Sequence, residues 1–364
     1  MVQRYWLLSM AMTGILLGGF DPIYGQETHY VQTQPGREPQ SSLELVEALN
    51  QKVLELHQDG QYQEAITLAE EALIVEREQL GERHPDVAIS LNTLALLYQA
   101  QGDYGEAERL FQESLSISYE QLGERHPDVA ISLNNLAGLY KAQGHYEEAE
   151  RLLQESRSIL YEQFGARHPD MALSLNNIAE LYVSQGRYGE AESLHEEALA
   201  IRQEQLRERH PDIAQSLNNL AVLYKLQGRY REAEPLAEEA LSIYREQLRE
   251  GHPHVAQILN NLALLYRAQG RYMESESLHE EALAIRREQL GNRHPDVAIS
   301  LNNLALLYND QGRYKEAEAL YQEALAIRQE QLGKRHPHVA TIITNLASLH
   351  ILQGRYLEAA TRNQ

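Results

Sequence analysis

The chain of 364 residues contains no cysteine. Disulfides, thiolate metal sites and a cysteine nucleophile are therefore excluded, although cysteine usage does not decide the compartment. Positive charge is scarce. Lys and Arg number 32 against 53 Asp and Glu, for a net charge of −21, and no basic run occurs. Nucleic-acid binding needs clustered Lys and Arg to neutralise phosphates, so a nucleic-acid or anionic-membrane partner is not expected. Bulky aromatics other than tyrosine are rare: three Phe and one Trp stand against 21 Tyr. No Gly-rich phosphate loop follows a strand pattern, and no nucleophile–base–carboxylate set stands out. An enzyme, a small-molecule substrate and a cofactor are accordingly not expected.

Long apolar runs are missing as well, apart from one at the start. Arg4 precedes an uncharged run from Tyr5 to Phe20, which Asp21 and Pro22 end. A basic residue followed by an apolar stretch of this length fits a signal peptide and is short for a bilayer span. The best cleavage point follows Gly25, with Ile23 where a smaller residue is preferred. Residues 1–25 are thus predicted to be a signal peptide or N-terminal anchor, giving an exported or membrane-anchored chain. The alternative is a short buried helix in a cytoplasmic protein. Residues 26–42 are polar, contain Pro35 and Pro39, and read as a flexible linker.

What the sequence does have is a repeat. His-Pro occurs at positions 84, 126, 168, 210, 252, 294 and 336, always 42 residues apart, and Gly-x-Tyr keeps the same register from Gly60/Tyr62 to Gly354/Tyr356. A fixed period of this size signals a stacked-repeat architecture. Each unit reads as two helices. In one of them, Pro127 to Gln143 carries Leu133, Leu136, Ala137 and Tyr140 at helical spacing, and Tyr146 to Phe164 carries Ala149, Leu152, Leu153 and Ser156. These are helices A and B of the unit. Pro127 suits the first helical position, His126 before it the N-cap, and Asp128 the first turn. Gly144 breaks helix A, and Gly165 is predicted to end helix B in the left-handed conformation. Gly123, Gly291 and Gly333 match it, whereas Arg207 and Arg249 demand a different ending.

One unit cannot stand alone. Ordering a backbone costs roughly 1–2 kcal/mol per residue, whereas a buried leucine returns only about 1.5–3 kcal/mol. Stacking buries both sides of each hairpin, so the predicted fold is an all-α solenoid of antiparallel helix pairs. It spans residues 43–364 as seven full pairs plus a truncated eighth, whose helix B runs from Tyr356 to Gln364. The small stripe residues let A and B approach closely, and the tyrosines fill the gaps with their hydroxyls near water.

The segment LNNLALLYRAQGRYMESESLHEEALAIRREQLGNRHPDVA, Leu259 to Ala298, closely resembles the tetratricopeptide repeats of kinesin light chain. Shared features are the period, the Leu-Asn-Asn-Leu-Ala helix A, the Gln-Gly-x-Tyr turn and the Leu-Gly-x-x-His-Pro junction. The likeness covers about residues 43–364. It implies a right-handed superhelix whose concave groove, lined by A helices, holds extended peptide segments of partners. The heptad region that joins kinesin light chain to its motor has no counterpart, so a motor role is unsupported.

Candidate site residues follow from the helix wheel. With Leu133 at zero and about 100° per residue, the core stripe centres near 350° while Asn134 lies near 100° and Asn135 near 200°. Asparagine costs a helix interior about half a kcal/mol relative to alanine. The chain nevertheless places pairs at Asn134/Asn135, Asn176/Asn177, Asn218/Asn219, Asn260/Asn261 and Asn302/Asn303, with singles at Asn92 and Asn345. Two readings offset that cost. The amides pair with the backbone of a bound peptide, a use that the resemblance also implies. Or they form an asparagine ladder holding adjacent A helices together. The second residue of each pair, with Asn345, is expected to face the groove; the first fits either role.

Lys141, Lys225, Arg267 and Asn309 follow on the same face. They would make parts of the groove less acidic and suit a peptide carrying Asp or Glu, unless they are ordinary solvated surface. The periodic histidines read as caps. Adjacent A-helix starts should lie about 10 Å apart, whereas metal ligands sit about 2 Å from one ion. His252/His254 and His336/His338 lack a third ligand, and Glu196/Glu197 and Glu280/Glu281 read as solvated face. The expected function is a non-enzymatic scaffold binding an extended segment of another protein. The alternatives are a targeting arm of a larger enzyme or signalling protein, and a structural solenoid that self-associates through an uncapped C-terminal end.

Overall fold

A computed structural model of the chain describes residues 42–248 and 250–354. The predicted leader, nearly all of the linker, Arg249 and the final half-helix from Tyr356 lie outside the described residues. Those residues form fifteen helices and no strand, in two compact units that part between Leu206 and Arg207. The first unit holds α1 (Ser42–Gln58), α2 (Tyr62–Leu80), α3 (Pro85–Gln101), α4 (Tyr104–Leu122), α5 (Pro127–Gln143), α6 (Tyr146–Phe164), α7 (Pro169–Ser184) and α8 (Tyr188–Gln205). The second holds α9 (Pro211–Leu226), α10 (Tyr230–Gln247), α11 (Pro253–Ala268), α12 (Tyr272–Leu290), α13 (Pro295–Asp310), α14 (Tyr314–Leu332) and α15 (Pro337–Leu352). Odd-numbered helices are the A helices and even-numbered ones the B helices. None of the described helices is long and apolar enough to cross a membrane.

The predicted starts are realised atom by atom. His126 is extended, and its Nδ1 accepts from the Asp128 backbone N–H at 3.2 Å, with Pro127 opening the helix. The same cap forms at His84, His168, His210, His252, His294 and His336. A ring nitrogen that accepts must be unprotonated. The B helices end in two ways. Gly165 has φ 82° and ψ 171°, so the predicted positive φ is present, but the residue is extended instead of helical in ψ. That region is essentially reserved for glycine. Where Arg207 replaces the glycine, α8 stops one residue sooner: Leu206 closes it at φ −113° and donates to the Arg202 carbonyl.

Within each pair the stripes meet as the spacing predicts. Leu133, Ala137, Ala149 and Ser156 are all sealed from solvent. Ser156 also works as a polar tie, its Oγ donating to the Ala130 carbonyl at 2.9 Å, and Ser114 does the same to Ala88 at 2.6 Å. Pairs are joined to pairs by tyrosine and arginine. Tyr182 donates to Glu150 at 2.8 Å, while Arg187 lies over the Tyr182 ring at 3.6 Å and reaches the same carboxylate at 3.0 Å. Tyr266, Arg271 and their carboxylates repeat the arrangement in the second unit. Outer arginines reach the next B helix from a B helix or from the loop that follows it, as in Arg287 with Glu323 at 2.7 Å and Arg125 with Glu162 at 3.0 Å. Such exposed pairs contribute about 0–1 kcal/mol each. They absorb much of the positive charge the chain possesses.

Replacing the cap should register directly. His126→Ala is expected to cost about 0.5–2 kcal/mol, and His126→Asn, which caps as well, to retain most of it. Thermal unfolding followed by circular dichroism separates the two.

Candidate binding face of the A helices

The paired asparagines lie in the middle of the A helices, and the structure corrects their expected exposure. Asn134, Asn176, Asn218 and Asn260, and likewise Asn135, Asn177, Asn219, Asn261 and Asn303, are only 2–7% exposed; Asn302 and Asn345 are half-buried. The wheel placed the second asparagine away from its own helix B, but a wheel takes no account of the next A helix. Within each unit successive A helices touch, α3 to α5 to α7 and α9 to α11 to α13 to α15. Those contacts put a neighbouring helix beside amides that a single-helix wheel leaves facing outward.

Several amides spend their capacity there. Asn261 Nδ2 donates to Asn218 Oδ1 at 3.0 Å, and Asn345 Nδ2 to Asn302 Oδ1 at 2.9 Å. Asn260 Nδ2 reaches Ser300 Oγ at 3.0 Å, and Asn92 Nδ2 reaches Ser132 Oγ at 3.1 Å. These bonds are the inter-repeat ladder that the sequence offered as its second reading. Two buried histidines, which the sequence reading passed over, brace it from the B helices. His279 Nδ1 lies 2.7 Å from Asn260 Oδ1, and His195 Nδ1 lies 2.7 Å from Asn176 Oδ1. An amide oxygen only accepts, so each ring carries its proton on Nδ1. Burial holds both rings neutral and pushes them down to about 3. The signal was present in the register: His195 and His279 stand where other units have Phe111, Leu153 or Ala237.

The ladder is incomplete. Neither Nδ2 nor Oδ1 of Asn135 has a hydrogen-bond partner, and Asn219 Oδ1 and Asn303 Nδ2 lack one as well. A buried polar group left without a partner costs about 1–3 kcal/mol. The cations sort unevenly. Lys141 is neutralised by Glu180 at 2.9 Å, and Arg267 pairs with Asp310 at 2.6 Å. Asn309, on the same face, is half-buried. Lys225 has no hydrogen bond or ion pair among the described residues. Burial, with Arg267 nearby, pulls its ammonium down to about 8. Among the described residues no group of three His, Asp or Glu side chains is placed to hold a metal ion. His252 and His254 lie ring to ring at 4.9 Å, and His252 serves as a cap.

A family model described as tetratricopeptide repeat matches residues 44–120, 106–162, 164–246, 254–330 and 296–364. No curated protein sequence matches the chain. Among solved structures, the nearly identical TPR-like repeats of a kinesin light chain from Podosopora anserina are 32% identical, over 56% of this chain and 97% of that one, at a TM-score of 0.47. BtubC (BKLC) from P. vanneervenii is 28% identical over 65% of this chain and 93% of its own, at a TM-score of 0.50. The quorum sensor NprR from B. thuringiensis shares 15% identity over 88% of this chain and 85% of its own, at a TM-score of 0.61, a likeness of fold alone.

Substitutions in the ladder should separate bonded from unbonded amides. Asn218→Ala strands Asn261 Nδ2 and is expected to cost about 1–3 kcal/mol, whereas Asn135→Ala, which removes two unsatisfied atoms, should be neutral or stabilising. Denaturant midpoints of the two variants measure the contrast. Acid should also loosen the fold. His195, His254, His279 and His338 are pushed by burial to between about 3 and about 4, below the ordinary value of 6.5. The unfolded chain then binds more protons, so the contribution is full above pH 6.5 and is lost as pH falls toward 3. Melting temperature against pH, for wild type and His279→Leu, would show a shallower acid limb in the variant.

Proposed function

Because the chain belongs to the tetratricopeptide repeat family, we propose that it is a non-enzymatic scaffold whose A-helix face takes an extended, acidic segment of another protein. The observation that carries this reading is Lys225. An ammonium drawn partly out of water, with a second cation beside it and no carboxylate of its own, is unfavourable unless an anion is supplied. In a chain of net charge −21 such a place is unusual. An Asp or Glu side chain laid across α9 and α11 would pair with Lys225, and Arg267 beside it would add attraction at the cost of sharing Asp310. In the second unit, Asn219 and Asn303 are proposed to bond the segment's backbone through the amide atoms that lack partners, after rotation toward the face, and Asn135 is proposed to offer the same atoms to a segment on the first unit. Asn261 and Asn345 belong to the row of the second unit, and Asn177 to that of the first. The first-position residues Asn134, Asn176, Asn218, Asn260 and Asn302 are assigned to support beneath it.

The test uses peptides selected from a random library on the wild-type chain. Enrichment in Asp and Glu is expected. Lys225→Met, which keeps the stem and removes the charge, should weaken the selected peptides roughly tenfold, a change of about 1.4 kcal/mol. Affinity should also decline as pH rises through about 8, where the ammonium loses its proton. Selected peptides without acidic residues, or indifferent to Lys225→Met, would remove the anionic segment from the proposal.

A further inference from the structure

The chain has five lysines: Lys52, Lys141, Lys225, Lys315 and Lys334. Lys52 pairs with Glu55 and Lys141 with Glu180, each at 2.9 Å, and Lys315 and Lys334 are exposed. Lys225 differs from all four. It is half-buried in the last turn of α9 and makes no hydrogen bond or ion pair among the described residues. The repeat explains this. Lys141 finds Glu180 39 residues on, and Arg267 finds Asp310 43 residues on. The same steps from Lys225 reach Leu264 and Ala268, which offer no charge. Arg267, at the same place on the next A helix, brings a second cation instead. It gives its Nε to Asp310 at 2.6 Å, and its two terminal nitrogens make no hydrogen bond among the described residues. An amine with no anion to hold its proton and a cation beside it is disposed to lose that proton. Burial first, and Arg267 second, pull it down to about 8.

We propose that Lys225 is a site of reversible carboxylation: its amine takes up carbon dioxide, and the carbamate formed pairs with the free terminal nitrogens of Arg267. The Nζ lone pair attacks the carbon of carbon dioxide and forms an N–C bond, while one C–O π pair moves onto oxygen. Nζ then gives a proton to water. One neutral amine and one carbon dioxide yield one carbamate anion and one proton, with no oxidant or reductant. Only the unprotonated amine is a nucleophile, and a desolvated lysine beside another cation is the activated kind. At pH 8 roughly half of Lys225 lacks the proton, against about 0.4% of an ordinary lysine. The product turns a like-charge pair into an opposite-charge one, and a planar carboxylate-type group matches the guanidinium fork. Lys141, in the same register with a carboxylate at hand, is the internal contrast. The site goes beyond the scaffold reading and stands without it. Where both hold, the carbamate reverses the charge that an acidic segment needs, and carbon dioxide releases the segment.

The experiment equilibrates the full chain with isotopically labelled carbon dioxide at fixed pressure, at about pH 7 and about pH 8.5, either side of the Lys225 transition. A trialkyloxonium salt then fixes any carbamate as its ester, and peptide mass spectrometry locates it. An added peptide with a free α-amino group, which titrates in the same range, is the positive control for trapping. Label on Lys225 is expected at least roughly tenfold above that on Lys141, Lys315 and Lys334, and it should rise with pH. That comparison needs no variant. Arg267→Gln, with its fold checked by circular dichroism, should lower the label several-fold, and Lys225→Met should abolish it. Label on Lys225 no greater than on Lys315 and Lys334 would overturn the site. Undiminished label in Arg267→Gln would overturn the pairing that defines it. Acidic peptides that bind a chain whose Lys225 stays unlabelled would sink this inference and leave the scaffold reading standing, whereas a labelled Lys225 on a chain that selects no acidic peptide would do the reverse.

Discussion

The fold depends on one constraint: a helix that buries two amides in its middle needs partners for them, and its own B helix supplies one only where His195 or His279 stands. Asn261 reaches Asn218, Asn345 reaches Asn302, and Asn260 reaches Ser300, each in the adjacent repeat. A buried amide is costly alone and inexpensive when paired. Where a rung forms, the polar ladder therefore makes an A helix require its neighbour, as the apolar stripes do, but with direction and distance specified. Hydrophobic faces tolerate a small slide, whereas hydrogen bonds near 3 Å do not. Grease supplies most of the stacking energy in such an array, and the amides supply its register.

The periphery is built on the same logic with weaker parts. Arginines at the turns stack on tyrosines of the preceding A helix and reach back to carboxylates of the previous B helix, as Arg187, Tyr182 and Glu150 do. This answers the odd aromatic composition. Tyrosine provides a flat apolar face for the guanidinium and a hydroxyl for the carboxylate, and phenylalanine or tryptophan would provide only part of that. It also explains where the scarce positive charge goes. Much of it is tied between repeats, which makes Lys225, left out of that traffic, stand apart.

The fold was almost wholly legible in the residues. The His-Pro starts, the period and the two apolar stripes each correspond to a feature of the coordinates, down to the Nδ1 acceptor at His126. Arg207 in place of glycine correctly signalled a different helix ending, though the wheel could not tell which. The candidate site was legible only in part. Spacing alone placed the asparagines in the middle of the A helices. How open their face is was not clear from spacing, because exposure of Asn135 or Asn261 is decided by the adjacent A helix, and a single-helix projection contains no second helix. The pairing of Lys141 with Glu180 was hidden for the same reason: the two lie 39 residues apart and meet only when repeats stack. His195 and His279 were overlooked because an isolated histidine in one unit looks like noise until its amide partner is in place.

The ladder has a further implication for how such a chain changes over generations. Its rungs join residues 40 and 43 positions apart, straddling the 42-residue period. Copying or deleting a whole module returns every rung to a correct partner. Inserting one residue in an A helix turns everything beyond it by about 100° and leaves the rungs on either side without mates. Lineages of this molecule should therefore differ in the number of modules, with the spacing inside each module unchanged: a chain free to lengthen by duplication and barred from drifting by slippage.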